Sequence, residues 1–322
     1  MTAAELFPAI ADDLRQVDRV IHQRLHSEVA LVRTVADYIV AGGGKRLRPV
    51  LVLLFARAHG AGEDEAAAVM AAVVEFIHTA TLLHDDVVDE SALRRGRETA
   101  NSVFGNAASV LVGDFLYSRA FQMMVSLGKL EIMEVLADAT NVIAEGEVLQ
   151  LMNIRDADLD ESRYLQVIRY KTAKLFEAAA RLGALVAGAC APHAQAAGQY
   201  GMHLGTAFQV IDDVLDYAGN AQETGKNLGD DLREGKVTLP LIHLMRSGTE
   251  AERQSVRSAI ETGSGDFAAI ARAVQRSGAL DYARAQATEE AERARANLTE
   301  LAPSVYRDAL FELTRLAVER DR

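Results

Sequence analysis

Apolar residues recur along this chain at three- and four-residue intervals, the period of an α-helix with one buried face. The pattern predicts amphipathic helices over 3–27 and 29–41, the second stopped by Gly42-Gly43-Gly44. Thr2 with Glu5 reads as a capping box opening the first of them. Pro49 permits a fresh helix start, and the run from Val50 to Ala58 predicts a fully buried helix ending near Gly60. The next begins after Gly62, with Glu63, Asp64 and Glu65 suiting its positive end, and runs to about Asp89. Further helices are expected over 106–127, 130–153, 160–187 and 194–218, parted at Gly128, Asp156–Asp158 and Pro192. From Gly219 to Lys236 the chain turns polar and glycine-spaced, which reads as a long loop. Helices near 238–246, 250–261, 266–276, 279–300 and 303–320 follow, and this charged last third reads as scaffold. No linker rich in Pro or Ser divides the chain. The expected fold is all-α: a single-domain helical bundle over 1–322 with a central cavity.

Polar residues interrupt the apolar faces in a repeated way. In Ala80-Thr81-Leu82-Leu83-His84-Asp85-Asp86-Val87-Val88-Asp89, Asp85 and Asp89 lie one turn apart on one helical face, with Asp86 beside them. Like charges at that spacing destabilise a bare helix, and the C-terminal end of a helix is the wrong end for carboxylates. A cation is therefore expected on this face. The same spacing recurs at Asp212-Asp213-Val214-Leu215-Asp216, again near a predicted helix end. Gln209, Asp212, Asp213 and Asp216 form one polar stripe, and His78, Asp85 and Asp89 another, which predicts two helices facing each other across a cleft. Hard oxygen donors suit a divalent cation, with Mg²⁺ the first choice where phosphate and water complete its shell.

Composition narrows the partners. Five prolines and 49 % hydrophobic residues in 322 favour helix throughout. A net charge of −12 argues against generic nucleic-acid binding. The single Cys190 excludes an intrachain disulfide framework, suits a reducing compartment and reads as a small core residue. The first residues lack the basic and apolar regions of a secretory signal. The most apolar segment, 66–83, is interrupted by Glu75 and His78, so no transmembrane segment is expected, and the chain reads as soluble and cytoplasmic.

Against that acidic background the cations cluster. Gly43-Gly44-Lys45-Arg46-Leu47-Arg48-Pro49 sets three cations beside glycines whose amides can form an anion-binding concavity. Arg94, Arg95 and Arg97 follow the first acidic set, and paired guanidinium forks fit a diphosphate. Lys171 occupies a core-facing slot in the stripe Tyr164, Ile168, Leu175, Ala179, Leu182, with the Thr172 hydroxyl beside it. A Lys there either snorkels outward or meets an anion inside. Lys226 and Lys236 lie in the polar loop after the second acidic set. An apolar cavity with acidic walls and cationic patches suits a substrate with a diphosphate head and a hydrocarbon tail.

In these residues the chain resembles the trans-isoprenyl diphosphate synthases, strongly over 40–240. The likeness rests on Gly44-Lys45-Arg46-Leu47-Arg48-Pro49, on Asp85–Asp89 followed by Arg94-Arg95-Gly96, on Lys171-Thr172, on Gln209 with Asp212–Asp216, and on Lys226, Asp230 and Lys236. Segments such as Glu75–Thr81 and Ala144–Gln150 place it nearest the bacterial octaprenyl diphosphate synthases, which make quinone side chains. The resemblance implies a catalytic set of Asp85, Asp86, Asp89, Asp212, Asp213, Asp216 and Lys171. It implies Mg²⁺ held by Asp85, Asp89 and Asp212. It implies an allylic diphosphate such as farnesyl diphosphate on Arg94, Lys171, Thr172, Gln209, Lys226 and Lys236, and isopentenyl diphosphate on Lys45, Arg48, His78 and Arg95. In short-chain relatives a bulky aromatic four or five residues before the first aspartate acts as a floor. Here those positions are Thr81 and Ala80, both small, so a long product is expected: octaprenyl first, nonaprenyl or heptaprenyl next. Phe121, Met123 and Met124 are candidates for a deeper floor. Family likeness also implies a homodimer, with helix 106–127 offering an apolar face, and transient membrane contact as product leaves. A class I terpene cyclase is the enzyme alternative, disfavoured by the full second aspartate set. A regulatory subunit is the non-enzyme alternative, disfavoured by the retained aspartates and cations.

Overall fold

Helices form nearly everywhere the apolar period predicts them. The computed structural model describes residues 3–62, 65–94, 96–218 and 229–320. The expected capping box at Thr2 and the acidic start at Glu63 and Asp64 lie outside the described residues. The helices are α1 (Ala3–Leu6), α2 (Ala11–Arg24), α3 (Ala30–Ala41), α4 (Leu47–Ala58), α5 (Glu65–Val88), α6 (Ala100–Phe104), α7 (Asn106–Ser126) and α8 (Leu130–Asn153). They continue as α9 (Glu161–Ile168), α10 (Lys174–Val186), α11 (Ala191–Ala218), α12 (Asp230–Arg233), α13 (Leu239–Ser247), α14 (Glu250–Thr262), α15 (Phe267–Arg276), α16 (Ala279–Ala296) and α17 (Val305–Glu319).

Four departures from expectation are local. The predicted helix 3–27 breaks at Phe7, because Pro8 has no N–H to continue the ladder and instead opens a short 3₁₀ turn, Pro8–Ile10. The arginine-rich segment after the first aspartate set, expected to be a loop, is a small antiparallel hairpin, β1 (Leu93–Arg94) with β2 (Arg97–Glu98), turned at Gly96, whose φ is +73°. An unanticipated short helix, α6, follows it. The predicted helix 160–187 contains a π-helical turn, Arg169–Ala173, between α9 and α10. Such turns insert an extra residue and often mark functional positions; this one carries Lys171 and Thr172.

The chain folds as two compact units. In the first (Met1–Asp138, Leu175–Gly201, Asn297–Phe311), α5 is central and packs against α2, α4 and α7. Both α4 and α5 are apolar around much of their circumference, which is why they bury rather than float at a surface. By length and apolarity alone α5 could cross a membrane, but most of its apolar stretch is buried inside the protein. Phe55 meets Tyr200 edge-on at 5.2 Å, and the Tyr200 hydroxyl donates to the Leu310 carbonyl at 2.7 Å. Cys190, expected in the core, is exposed, since it falls in the turn before α11.

In the second unit (Ala139–Lys174, Met202–Ala296, Glu312–Arg322), Tyr164, Ile168, Val210, Val214 and Tyr217 share one apolar core with residues of α13 to α16. Helices of the last third, expected to be scaffold, supply much of this core. The Thr249/Glu252 capping box starts α14, with the Thr249 N–H donating to Glu252 at 2.9 Å.

Candidate active site

At the end of α5 the three aspartates separate by burial. Asp85 and Asp89 are half-buried, whereas Asp86, rotated about 100° around the helix, is fully buried. A bare buried carboxylate is costly, and the hairpin answers it. Arg94 places Nε 2.8 Å and Nη2 2.7 Å from Asp86 Oδ1. The hairpin is pinned in turn by Thr99, whose hydroxyl donates to the Ser91 carbonyl at 2.7 Å, and Asn101 donates to the Asp86 carbonyl at 3.2 Å. The second Asp86 oxygen, Oδ2, is buried and has no hydrogen-bond partner among the described residues.

The other cations of this unit fall nearby. Arg48 Nη1 lies 3.2 Å from His78 Nε2, and its guanidinium stacks over the Phe176 ring at 4.4 Å. Two residues assigned to the same diphosphate therefore do meet. Lys45 is exposed. Arg46 takes φ +46° just before α4 and pairs with Asp18 at 2.6 Å. Arg46, His78, Asp86, Arg94 and Arg97 line one solvent-open pocket of about 60 Å³. Arg95 lies outside the described residues. Among the chain-length positions, Ala80 is fully buried, and Thr81 is half-buried with its hydroxyl returned to the His78 carbonyl at 2.8 Å. Met123 and Met124 are core residues, each 1 % exposed, while Phe121 is half-buried and stacks on Tyr117 at 5.8 Å.

The second unit repeats the division. Asp212 and Asp216 are half-buried, and the middle aspartate, Asp213, is 3 % exposed. Tyr164 donates to Asp213 Oδ2 at 2.6 Å, Gln209 donates to Oδ1 at 2.9 Å, and Thr172 donates to the Gln209 amide oxygen at 3.2 Å. Burial, with the Asp231 charge behind it, pushes the Asp213 carboxyl up to about 8 against the pull of the two donors. Burial also raises the Tyr164 phenol, so it stays a donor.

Lys171 meets an anion: its Nζ lies 2.6 Å from Glu147 Oε2 on α8. Close approach is possible because Gly146 has no side chain; a Cβ there would sit 2.6 Å from the Lys171 backbone nitrogen. The start of the π turn is tied as well. Glu290, 6 % exposed, receives Arg169 at 3.1 Å and Arg293 at 3.0 Å, with His203 Nδ1 at 2.6 Å. Burial alone would raise this carboxyl, but the His203, Arg169 and Arg293 contacts bring it below the usual value. Asp212 Oδ1 pairs with Arg320 at 2.6 Å. Lys236 pairs with Glu234 at 2.7 Å, and Lys226 lies outside the described residues.

Three residues escaped the sequence reading. Tyr164 passed as core, although a buried phenol needs a partner. Glu147 had a signal in its neighbour, a lone Gly inside a helical pattern. Arg320, in a charged helix end, carried none.

Among the described residues no three His, Cys, Asp or Glu side chains converge as a ready metal cage. The donors on offer are hard carboxylate oxygens in two sets. That suits a cation such as Mg²⁺, which keeps water and takes one or two carboxylates plus substrate phosphate, rather than a site closed by protein alone.

Comparison with known proteins fits this chemistry. A family model for polyprenyl synthetase matches residues 29–276. The chain is 54 % identical to octaprenyl diphosphate synthase of Escherichia coli K12 over 315 residues, 97 % of each chain. It is 46 % identical to the all-trans-nonaprenyl-diphosphate synthase (geranyl-diphosphate specific) of Rhodobacter capsulatus, covering 98 % of this chain and 97 % of that one. A crystal structure of polyprenyl synthase from Caulobacter crescentus CB15, complexed with calcium and isoprenyl diphosphate, superposes with a TM-score of 0.95 at 45 % identity, over 99 % of this chain and 98 % of that one.

Proposed function

The chain belongs to the polyprenyl synthetase family of prenyltransferases, and on that premise we propose that it is a long-chain all-trans-polyprenyl diphosphate synthase making the octaprenyl product. The observation that carries the reading is the full-length likeness to octaprenyl diphosphate synthase. Isopentenyl diphosphate is condensed repeatedly onto an allylic diphosphate such as farnesyl diphosphate, and the product serves as a quinone side chain. The chain 1–322 works as one polyprenyl synthase domain, in the cytoplasm, as a homodimer. The exposed Val110, Leu111 and Val125 on α7 support an apolar self-association face. Product release brings brief membrane contact.

Arg94, Lys171, Thr172, Gln209, Lys226 and Lys236 bind the allylic diphosphate and stabilise the charge that develops on it as its C–O bond ionises. Mg²⁺, held by Asp85, Asp89 and Asp212, would supply Lewis-acid neutralisation of that diphosphate. Asp86, Asp213 and Asp216 orient those carboxylates. Lys45, Arg48, His78 and Arg95 hold isopentenyl diphosphate, whose double bond attacks the allylic cation. A proton then leaves to the departed diphosphate, and the product is one isoprene unit longer. The apolar walls exclude water, which would otherwise quench the cation.

Chromatography of the products formed from labelled isopentenyl diphosphate, farnesyl diphosphate and Mg²⁺ tests the reading. An octaprenyl product is expected. A stop at geranylgeranyl would refute the long-chain assignment, and a cyclised product formed without consuming isopentenyl diphosphate would refute the condensation itself.

A further inference from the structure

We propose that Arg320 is a placeholder cation at the second aspartate set: it neutralises Asp212 while the metal is absent and so weakens metal binding to the substrate-free enzyme. The inference rests on the assignment of Asp212 as a metal ligand.

Arg320 follows α17, a helix whose sequence gives no hint of chemistry. Its side chain is only 10 % exposed and is held three ways on α11. The guanidinium stacks over the Phe208 ring at 3.7 Å, Nη2 donates to the Phe208 carbonyl at 2.6 Å, and Nη2 lies 2.6 Å from Asp212 Oδ1. Phe208 and Asp212 are one helical turn apart, so a single planar group spans both. Although the Asp212 side chain is 44 % exposed, Arg320 is already ordered by Phe208, so this pair need not order two long side chains as a solvated surface pair must. The buried Arg320 Nε has no hydrogen-bond partner among the described residues, so the polar contacts of the guanidinium run through Nη2. What its position achieves is charge compensation. Asp212, Asp213 and Asp216 fall within five residues, and Asp231 adds its field to Asp213.

A fixed positive charge against Asp212 opposes a divalent cation arriving at the same carboxylate. When the cation arrives with a diphosphate, the anionic phosphate oxygens offset that opposition and offer the guanidinium a second acceptor. Arg320 is thus a positioning residue that makes metal binding depend on the diphosphate, holding the free enzyme in a metal-poor state.

Mn²⁺ binding to the whole enzyme without substrate, followed by electron paramagnetic resonance, tests this without measuring turnover. Arg320→Gln should bind Mn²⁺ about tenfold more tightly than the wild type, the scale expected of one partly screened charge. Arg320→Lys, which keeps the charge, should stay near the wild type. With saturating inorganic pyrophosphate the advantage of Arg320→Gln should disappear. Unchanged or weaker Mn²⁺ binding in Arg320→Gln overturns the proposal, as does an advantage that persists undiminished with pyrophosphate. A merely structural role would weaken binding in Arg320→Gln, so the sign separates the two. Asp212→Ala tests the assignment beneath: if it binds Mn²⁺ as the wild type does, Asp212 is not a ligand. If Asp212→Ala loses affinity while Arg320→Gln is unchanged, the placeholder role alone has failed.

Discussion

Tyr164 and Asp213 lie 49 positions apart, yet the phenol donates a 2.6 Å hydrogen bond to a carboxyl group that is itself almost fully buried. Asp86 occupies the equivalent middle position of the other acidic set and is answered by Arg94 instead. Both i, i+1, i+4 aspartate sets therefore bury the middle residue most deeply and leave the outer two half-buried. The inward one anchors the helix end; the outer two are the candidates to meet a ligand.

Removing the phenol hydroxyl should show what the anchor contributes. Tyr164→Phe leaves Asp213 Oδ2 without that donor and should cost about 1–3 kcal/mol of stability, read from urea denaturation. An unchanged midpoint would mean that water replaces the phenol at no cost.

Asp213 also predicts a pH dependence. Its folded value of about 8 lies far above the ordinary 3.8, so the native state holds a proton that the unfolded chain has lost. The stability it contributes is fully present below pH 3.8, declines as pH rises toward 8 and is gone above that. In metal-free protein, the melting temperature of the wild type should therefore fall relative to Asp213→Asn between pH 5 and pH 8. Parallel melting curves across that range would contradict the buried, protonated carboxyl.

Gly146 should be irreplaceable for a packing reason. The Cβ of Gly146→Ala would press on the Lys171 backbone at 2.6 Å, and α8 or the π turn must then move. The Lys171–Glu147 pair shifts with it. A rise in KM for the allylic diphosphate of about tenfold or more is expected, since misplacement by an ångström is expensive in an oriented site. Normal kinetics would show that the π turn does not need its present seat.

The two small residues before the first aspartate should behave differently. Ala80 is fully buried, so Ala80→Phe overpacks the core and should destabilise the protein by about 1–3 kcal/mol or more. Thr81 is half-buried, so Thr81→Phe should fold and shorten the product, as seen by chromatography. A full-length product from well-folded Thr81→Phe would remove Thr81 from chain-length control.

The sequence by itself determined the helical fold and pointed to most of the candidate site residues. Helical period fixes which faces of α4 and α5 are apolar, and the repeated aspartate spacing announces a charge problem wherever it falls. Those are local properties of three or four neighbouring residues. Tertiary structure decided which carboxyl is buried and which cation answers it. Asp86 with Arg94, Asp213 with Tyr164, Lys171 with Glu147 and Asp212 with Arg320 are pairings across 8, 49, 24 and 108 positions. No periodicity encodes such distances. They follow from how helices seat against each other, and from the rule that a carboxylate taken out of water must find a donor wherever the fold has brought one.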